Sequence, residues 1–238
     1  MIFLTLLTQL GGLAWVASRF FKRSILAFLI LYTAISFLTV WVAPNFGRVA
    51  LPCASNPELQ MQSIFFCALN RHYTTPQLRT TLEDYAGQIS AAHPNTETRI
   101  LDANFPFIVG FPLLPHLSHD DGRKVDLAFY YERNGTYLPG TARSPIGYFA
   151  FQQGVTNCSD TGLTLRWNLR WLQPLFPKYD LDKTRMRTAL QILQEDPRVE
   201  KLFIEPHILA ELGVKGEKIR FQGCRAARHD DHIHFQIM

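Results

Sequence analysis

Residues 1–50 contain no aspartate and no glutamate. The formal net charge of +4 therefore arises there, from Arg19, Lys22, Arg23 and Arg48, because the rest of the chain holds 20 basic against 20 acidic side chains. A balanced remainder lacks the basic surface that a nucleic-acid partner requires, so the charge is a signal of membrane topology and no nucleic acid is expected. Internal repeats and low-complexity runs are also missing, which excludes a solenoid. Cysteine is scarce, with four residues and no C-x-x-C pair, which argues against a Cys-ligated zinc site. Cys53, Cys67, Cys158 and Cys224 form an even set that suits two disulfides in an oxidising compartment, with three connectivities open.

Charge is absent again from residues 24–43, SILAFLILYTAISFLTVWVA, a stretch long enough to cross a hydrocarbon core. Residues 1–18 are mostly apolar but lack the basic start of a cleaved signal peptide. The pattern favours an uncleaved hairpin of two transmembrane helices over a single signal-anchor. The basic cluster at Arg19, Lys22 and Arg23 should stay cytoplasmic, which sends the rest of the chain to the other side; in a two-membrane bacterium that is the periplasm. The expected division is a membrane anchor over 1–44, a juxtamembrane connection with a helix over 45–94, and a catalytic domain over 95–238.

Histidine is concentrated rather than abundant. Three of the eight histidines fall in residues 228–235, RHDDHIHF. In an extended chain alternate side chains share a face, so His232 and His234 would lie on one side and Ile233 and Phe235 on the other. A strand presenting two imidazoles over an apolar back is a rigid platform for a metal. A second set lies at residues 116–126, HLSHDDGRKVD. Gly122 offers a tight turn into a strand from Lys124 to Phe129, with Val125, Leu127 and Phe129 towards the core and Asp126 on the other face. Such a turn brings His119 and Asp126 together. Two ligands from this segment and one from the C-terminal strand leave a fourth tetrahedral position for water, the layout of a catalytic zinc site.

The pattern Ser118-His119-x-x-Gly122-x-x-x-Asp126 followed by His232-x-His234 resembles the metallopeptidase superfamily of lysostaphin-type enzymes, D-Ala-D-Ala peptidases and the hedgehog signalling domain. The nearest likeness is to the penicillin-insensitive murein endopeptidases. These add a His three residues before the first ligand, as at His116, and one five before the last, as at His229. Their framework motif D-P-R-V-x-x-x-F-I-x-P is matched from Asp196 to Pro206. The likeness covers roughly residues 95–238. It departs at Gln236, where that family commonly has Arg.

The resemblance implies zinc held by His119, Asp126 and His234, with His229 as general base. Related peptidases use a carboxylate at the position of Asp231, but strand alternation would turn Asp231 away from His234. His232 is then a supporting or oxyanion-stabilising group, and His116 hydrogen-bonds a ligand or the substrate or is structural. Residues His72, His93 and His207 read as surface or packing, and Glu205 as structural. The remaining elements expected are a helix opened by Thr75-Pro76 and running to about Ala91, a strand from Thr96 to Leu101, a helix from Thr184 to Glu195 and a strand from Val199 to Ile204. Residues 130–182 carry little periodicity, and their Arg143, Tyr148, Phe149, Trp167 and Trp171 include candidates to wall a cleft. Helices and strands in no repeating βαβ order indicate an α+β fold with a mostly antiparallel sheet and flanking helices, hedgehog or D-Ala-D-Ala peptidase-like. The expected function is a membrane-anchored zinc peptidase of peptidoglycan stem peptides, cutting D,D or L,D crosslinks. Action beside an envelope-spanning secretion apparatus is one possible setting. The competing expectations are a non-catalytic zinc module that binds wall or partner, and a D,D-carboxypeptidase.

Overall fold

The computed structural model describes residues 1–54, 56–156, 158 and 164–238. In chain order the elements are α1 (Ile2–Thr8), α2 (Gly11–Ser18), α3 (Ser24–Val42), β1 (Val49–Ala50), β2 (Leu59–Met61), α4 (Ile64–Ala68), β3 (Tyr73–Thr74), α5 (Pro76–Ala92), β4 (Thr98–Asp102), β5 (Lys124–Ala128), β6 (Tyr131–Arg133), β7 (Thr136–Tyr137), β8 (Asp180–Leu181), α6 (Lys183–Glu195), β9 (Val199–Phe203), α7 (Pro206–Leu212), β10 (Ile219–Arg220) and β11 (His232–Ile237). The fold is mixed α and β.

The central sheet has six strands in the order β10-β9-β11-β5-β4-β2. Its middle is antiparallel. Its two edges are parallel pairs, β10 with β9 and β2 with β4, so the sheet is mixed rather than mostly antiparallel. Each parallel pair is joined through helices, α7 between β9 and β10, and α4 with α5 between β2 and β4. A helical crossover is what returns a strand in the same direction. β2 and β10 are three and two residues long, too short to show a periodicity.

The sheet is covered on one face by α5 and α6. Leu78, Leu82, Tyr85 and Ile89 of α5, and Met186, Leu190 and Leu193 of α6, pack with Val125, Leu127, Ile233 and Phe235 in a single core. α5 starts where Thr75 Oγ1 accepts from the Leu78 amide at 3.2 Å with Pro76 in the first turn. α6 starts where Asp182 accepts from the Arg185 amide at 2.9 Å. Each cap satisfies an amide that has no partner within the helix. Because β2 pairs with β4 and α5 fills the core, residues 45–94 belong to the folded unit and are not a connection to it.

The N-terminus differs from the expected hairpin. Residues 2–18 form two helices of 7 and 8 residues, broken at Gln9 with φ 63°. At 1.5 Å per residue neither approaches the roughly 30 Å of a hydrocarbon core. Thr8 Oγ1 accepts from the Gly11 amide at 2.7 Å and stabilises the break. Among the described residues one helix, Ser24–Phe46, is long and apolar enough to cross a membrane. It is not free of the domain. Tyr32 Oη donates to the Ala68 carbonyl at 2.6 Å, and Asn70 Nδ2 donates to Tyr32 Oη at 3.1 Å and Ser36 Oγ at 3.3 Å. Two disulfides close the fold, Cys53–Cys67 and Cys158–Cys224. The second ties Cys158 to Cys224 on the approach to β11.

Candidate metal centre

The uncovered face of the central sheet carries the cluster. His234 lies opposite Asp126 in the β11–β5 ladder, while Ile233 and Phe235 lie opposite Leu127 and Val125 on the core side. Directly opposed residues share a face at close range, and His234 Nδ1 is 2.8 Å from Asp126 Oδ1. His119 comes from the turn before β5. Its Nε2 is 3.1 Å from His234 Nδ1 and 3.2 Å from Asp126 Oδ1. His119 Nδ1 donates to the Ala103 carbonyl at 2.8 Å, which turns the Nε2 lone pair towards the other two donors.

Gly122 makes that turn possible. Its φ is +83°, and a Cβ there would meet the Arg48 guanidinium at 2.5 Å. Its amide donates to Asn104 Oδ1 at 3.0 Å and its carbonyl accepts from the Thr75 amide at 2.8 Å, so both backbone groups are committed.

These separations test the cluster as a metal site. Zinc bonds of about 2.0–2.1 Å to nitrogen and oxygen place the corners of a tetrahedron about 3.3 Å apart. The three donor atoms stand 2.8, 3.1 and 3.2 Å from one another, close to the edges of one tetrahedral face. His116, His119 and Asp126 form an overlapping group that can hold a metal ion, its donor atoms all within 4.8 Å. The buried His116 Nδ1 has no hydrogen-bond partner in its own geometry although it lies 3.0 Å from Asp126 Oδ2.

A second layer of groups surrounds Asp126, and sequence reasoning found only part of it. Tyr148 Oη donates to Asp126 Oδ2 at 2.6 Å. His116 Nδ1 is also 3.4 Å from Asp102 Oδ2, and Arg71 grips Asp102 through Nε at 3.0 Å and through Nη2. Asp102 reaches this face because the β4–β5 register shifts between Ile100 and Asp102; a bulge re-aims a side chain in this way. Arg71 then donates to the Leu114 carbonyl at 2.7 Å, in the segment that leads through Pro115 to His116. Neither Asp102 nor Arg71 carried a signal in the sequence beyond a charge at the end of an apolar strand.

Asp231 precedes β11 rather than lying in it. It is buried, its Oδ1 is 2.5 Å from His232 Nδ1, and its Oδ2 accepts from the Phe149 amide at 2.5 Å. His232 Nε2 is 3.7 Å from Asp126 Oδ1. His229 is also buried in the cluster, its ring 4.9 Å from that of His232 and 5.6 Å from that of His234.

The protein groups shape each other's charge. Burial opposes the imidazolium of His116, but Asp126 and Asp102 outweigh it and raise the group to about 9. Burial likewise opposes charge on His232, and Asp126 and Asp231 raise it. Burial lowers His234 to about 4 and holds His229 well below its ordinary value, with His232 adding repulsion. Asp126 resists the upward push of burial because His119, His232 and His116 surround it, and it lies well below the usual carboxylate range. Neutral imidazoles at His234 and His229 and an ionised Asp126 are the forms that bind metals or accept protons.

A cleft opens over the cluster, rimmed by Pro115, His116, Leu117, Leu165, His229 and His232. It continues along Phe149 and Trp167, whose rings stack at 6.5 Å. Arg143 holds this wall by donating to the Phe151 carbonyl at 3.0 Å. Trp171 is exposed and outside it.

The remaining candidates fall elsewhere. His72 packs on Tyr73, His93 Nε2 lies 2.9 Å from Thr188 Oγ1 and His207 packs against Gly154. Glu205 holds Arg166 through bonds of 2.8 and 2.7 Å, and its amide donates to the His229 carbonyl at 3.0 Å, so it braces the histidine segment. Gln236 pairs with Glu200 on the exposed side of the sheet. The framework motif is an ion-pair hinge, in which Arg198 joins Asp196 to Asp84 of α5. No protein-family model matches the chain, and no curated protein matches it.

Proposed function

We propose that the chain is a zinc-dependent peptidase anchored in a bacterial inner membrane, hydrolysing crosslink peptide bonds of peptidoglycan in the periplasm. The observation that carries this reading is the triangle of His119 Nε2, Asp126 Oδ1 and His234 Nδ1, with edges of 2.8 to 3.2 Å, beneath an open cleft. Zinc bound there supplies a Lewis acid that activates water and polarises the scissile carbonyl. Tyr148 and His116 hold the free oxygen of Asp126 and so fix the direction of the other. Asp231 holds His232 Nδ1 and directs its Nε2 at the cluster, as a group that moves a proton must be held. That contact favours His232 over His229 as the acid–base group, with His229 as a neutral neighbour. Pro115, Leu117, Leu165, Phe149 and Trp167 give the cleft an apolar lining along which an extended peptide would lie. The two disulfides suit a compartment outside the cytoplasm.

The test is incubation of the full-length chain in detergent with purified crosslinked muropeptides, followed by mass analysis. Dimers should gain one water and part into monomers. A chelator should stop the reaction and zinc restore it. Zinc-loaded protein that leaves every crosslinked and uncrosslinked stem peptide intact would defeat the reading, and muropeptide binding without cleavage would establish a binding module instead.

A further inference from the structure

We propose that the folded domain is seated in the outer face of the bilayer, through α4 and the apolar loop 105–115, so that the cleft opens at the lipid surface. This rests on reading α3 as a membrane span. The contacts of α3 leave little freedom. Tyr32 and Ser36 hydrogen-bond Ala68 and Asn70 of the domain, and Tyr32 lies ten residues before Val42. Ten helical residues rise about 15 Å, half of a hydrocarbon core of about 30 Å. The apolar helix has 23 residues in all, about 34 Å, so it cannot slide far enough to lift Tyr32 clear of the bilayer. Wherever α3 crosses, the segment carrying Ala68 and Asn70 comes down to the lipid with it.

What the domain presents there is apolar. Ile64 and Phe65 on α4 are 67% and 48% exposed. The loop FPFIVGFPLLP over residues 105–115 has no charged side chain, and its tip, Ile108 and Val109, is 56% and 65% exposed. This loop is fastened to the anchor itself. The Phe107 amide donates to Gln9 Oε1 at 3.0 Å, between α1 and α2, and the Phe107 ring meets Phe46 at the end of α3 at 4.9 Å. Exposed apolar side chains on α4 and on the loop call for a partner, and the contacts of each with the N-terminal helices make that partner lipid. The sheet agrees. Its β2 edge adjoins α4, and its β10 edge is five strand spacings away, about 24 Å. The same loop runs straight into Pro115, His116 and Leu117 on the cleft rim, which joins the rim to the seated loop.

The test places an environment-sensitive fluorophore on single introduced cysteines in the full-length chain, in vesicles of phosphatidylethanolamine and phosphatidylglycerol with or without lipids spin-labelled on the acyl chain. The positions are Val109 and Phe65, with Leu29 on the exposed face of α3 as the span reporter and Lys215 beside β10 as the far reporter. Each labelled chain is used only if it keeps the unlabelled melting midpoint. Labels at Leu29, Phe65 and Val109 should lose most of their emission to the spin-labelled lipid, and the label at Lys215 none. Quenching at Leu29 without quenching at Phe65 and Val109 overturns the seat and leaves the span standing. Failure at Leu29 as well removes the span. Blue-shifted emission at Val109 that spin-labelled lipid does not quench assigns the loop to a protein partner or a second copy, and overturns the proposal.

Discussion

Asp126 is the side chain on which the cluster turns, because each of its oxygens is committed to a different set of neighbours. Replacing His119, Asp126 or His234 by Ala should each remove most bound zinc and all hydrolysis, read as metal per chain by mass spectrometry. His116→Ala should keep the metal; if it loses zinc while His234→Ala retains it, the ligand set is the overlapping group of His116, His119 and Asp126. The proton-transfer roles separate in the same way. His232→Ala should keep zinc and lose roughly 10²- to 10⁴-fold in kcat, and Asp231→Asn about 10- to 100-fold. His229→Ala should lose less than either; the reverse order makes His229 the base. At this scale the sequence was informative where one strand carries the pattern, as His232, Ile233, His234 and Phe235 alternate without help from other segments. It was silent on Arg71 and Asp102, because the place of Asp102 depends on a bulge and Arg71 follows it.

The elements show the same division. α5, α6 and β9 were legible because Thr75-Pro76, the stop before Pro197 and the run from Val199 are local signals. β2 and β10 were not, because pairing with β4 and β9 makes them strands, and with them the mixed character of the sheet was lost. The turn into β5 yields a stability prediction. Gly122→Ala forces a Cβ onto the Arg48 guanidinium at a φ of +83° and should destabilise the chain by about 1–3 kcal/mol, read as a lower melting midpoint. The turn between α4 and β3 yields a pH prediction. Burial lowers His72 from 6.5 to about 4 and leaves its Nδ1 without a hydrogen bond. The unfolded chain therefore binds a proton that the folded chain refuses between about pH 6.5 and pH 4, so stability is full above that window and falls as pH drops through it. The loss is on the order of 3–4 kcal/mol, and the difference in melting midpoint between wild type and His72→Leu should narrow or reverse across that window.

At the scale of the whole molecule, the proposed wall substrate requires the cleft to lie outside the cytoplasm. Arg19, Lys22 and Arg23 precede the apolar helix and should hold that end in the cytoplasm. A reporter fused after residue 50 should then be active only outside the cytoplasm. Activity inside would leave peptidoglycan out of reach.

The hydrogen bonds from Tyr32 to Ala68 and from Asn70 to Tyr32 and Ser36 make the apolar helix more than a tether. A tether can be exchanged for any apolar helix of the same length, and the cargo does not notice. Here the helix supplies hydrogen-bond partners to the cargo, as an internal helix of a soluble protein does. Substituting a polyleucine span would keep the chain in the membrane yet strip Ala68 and Asn70 of their partners, and cutting at residue 45 would do the same in solution. Helix and domain are joined by hydrogen bonds into one unit, and neither is a cassette.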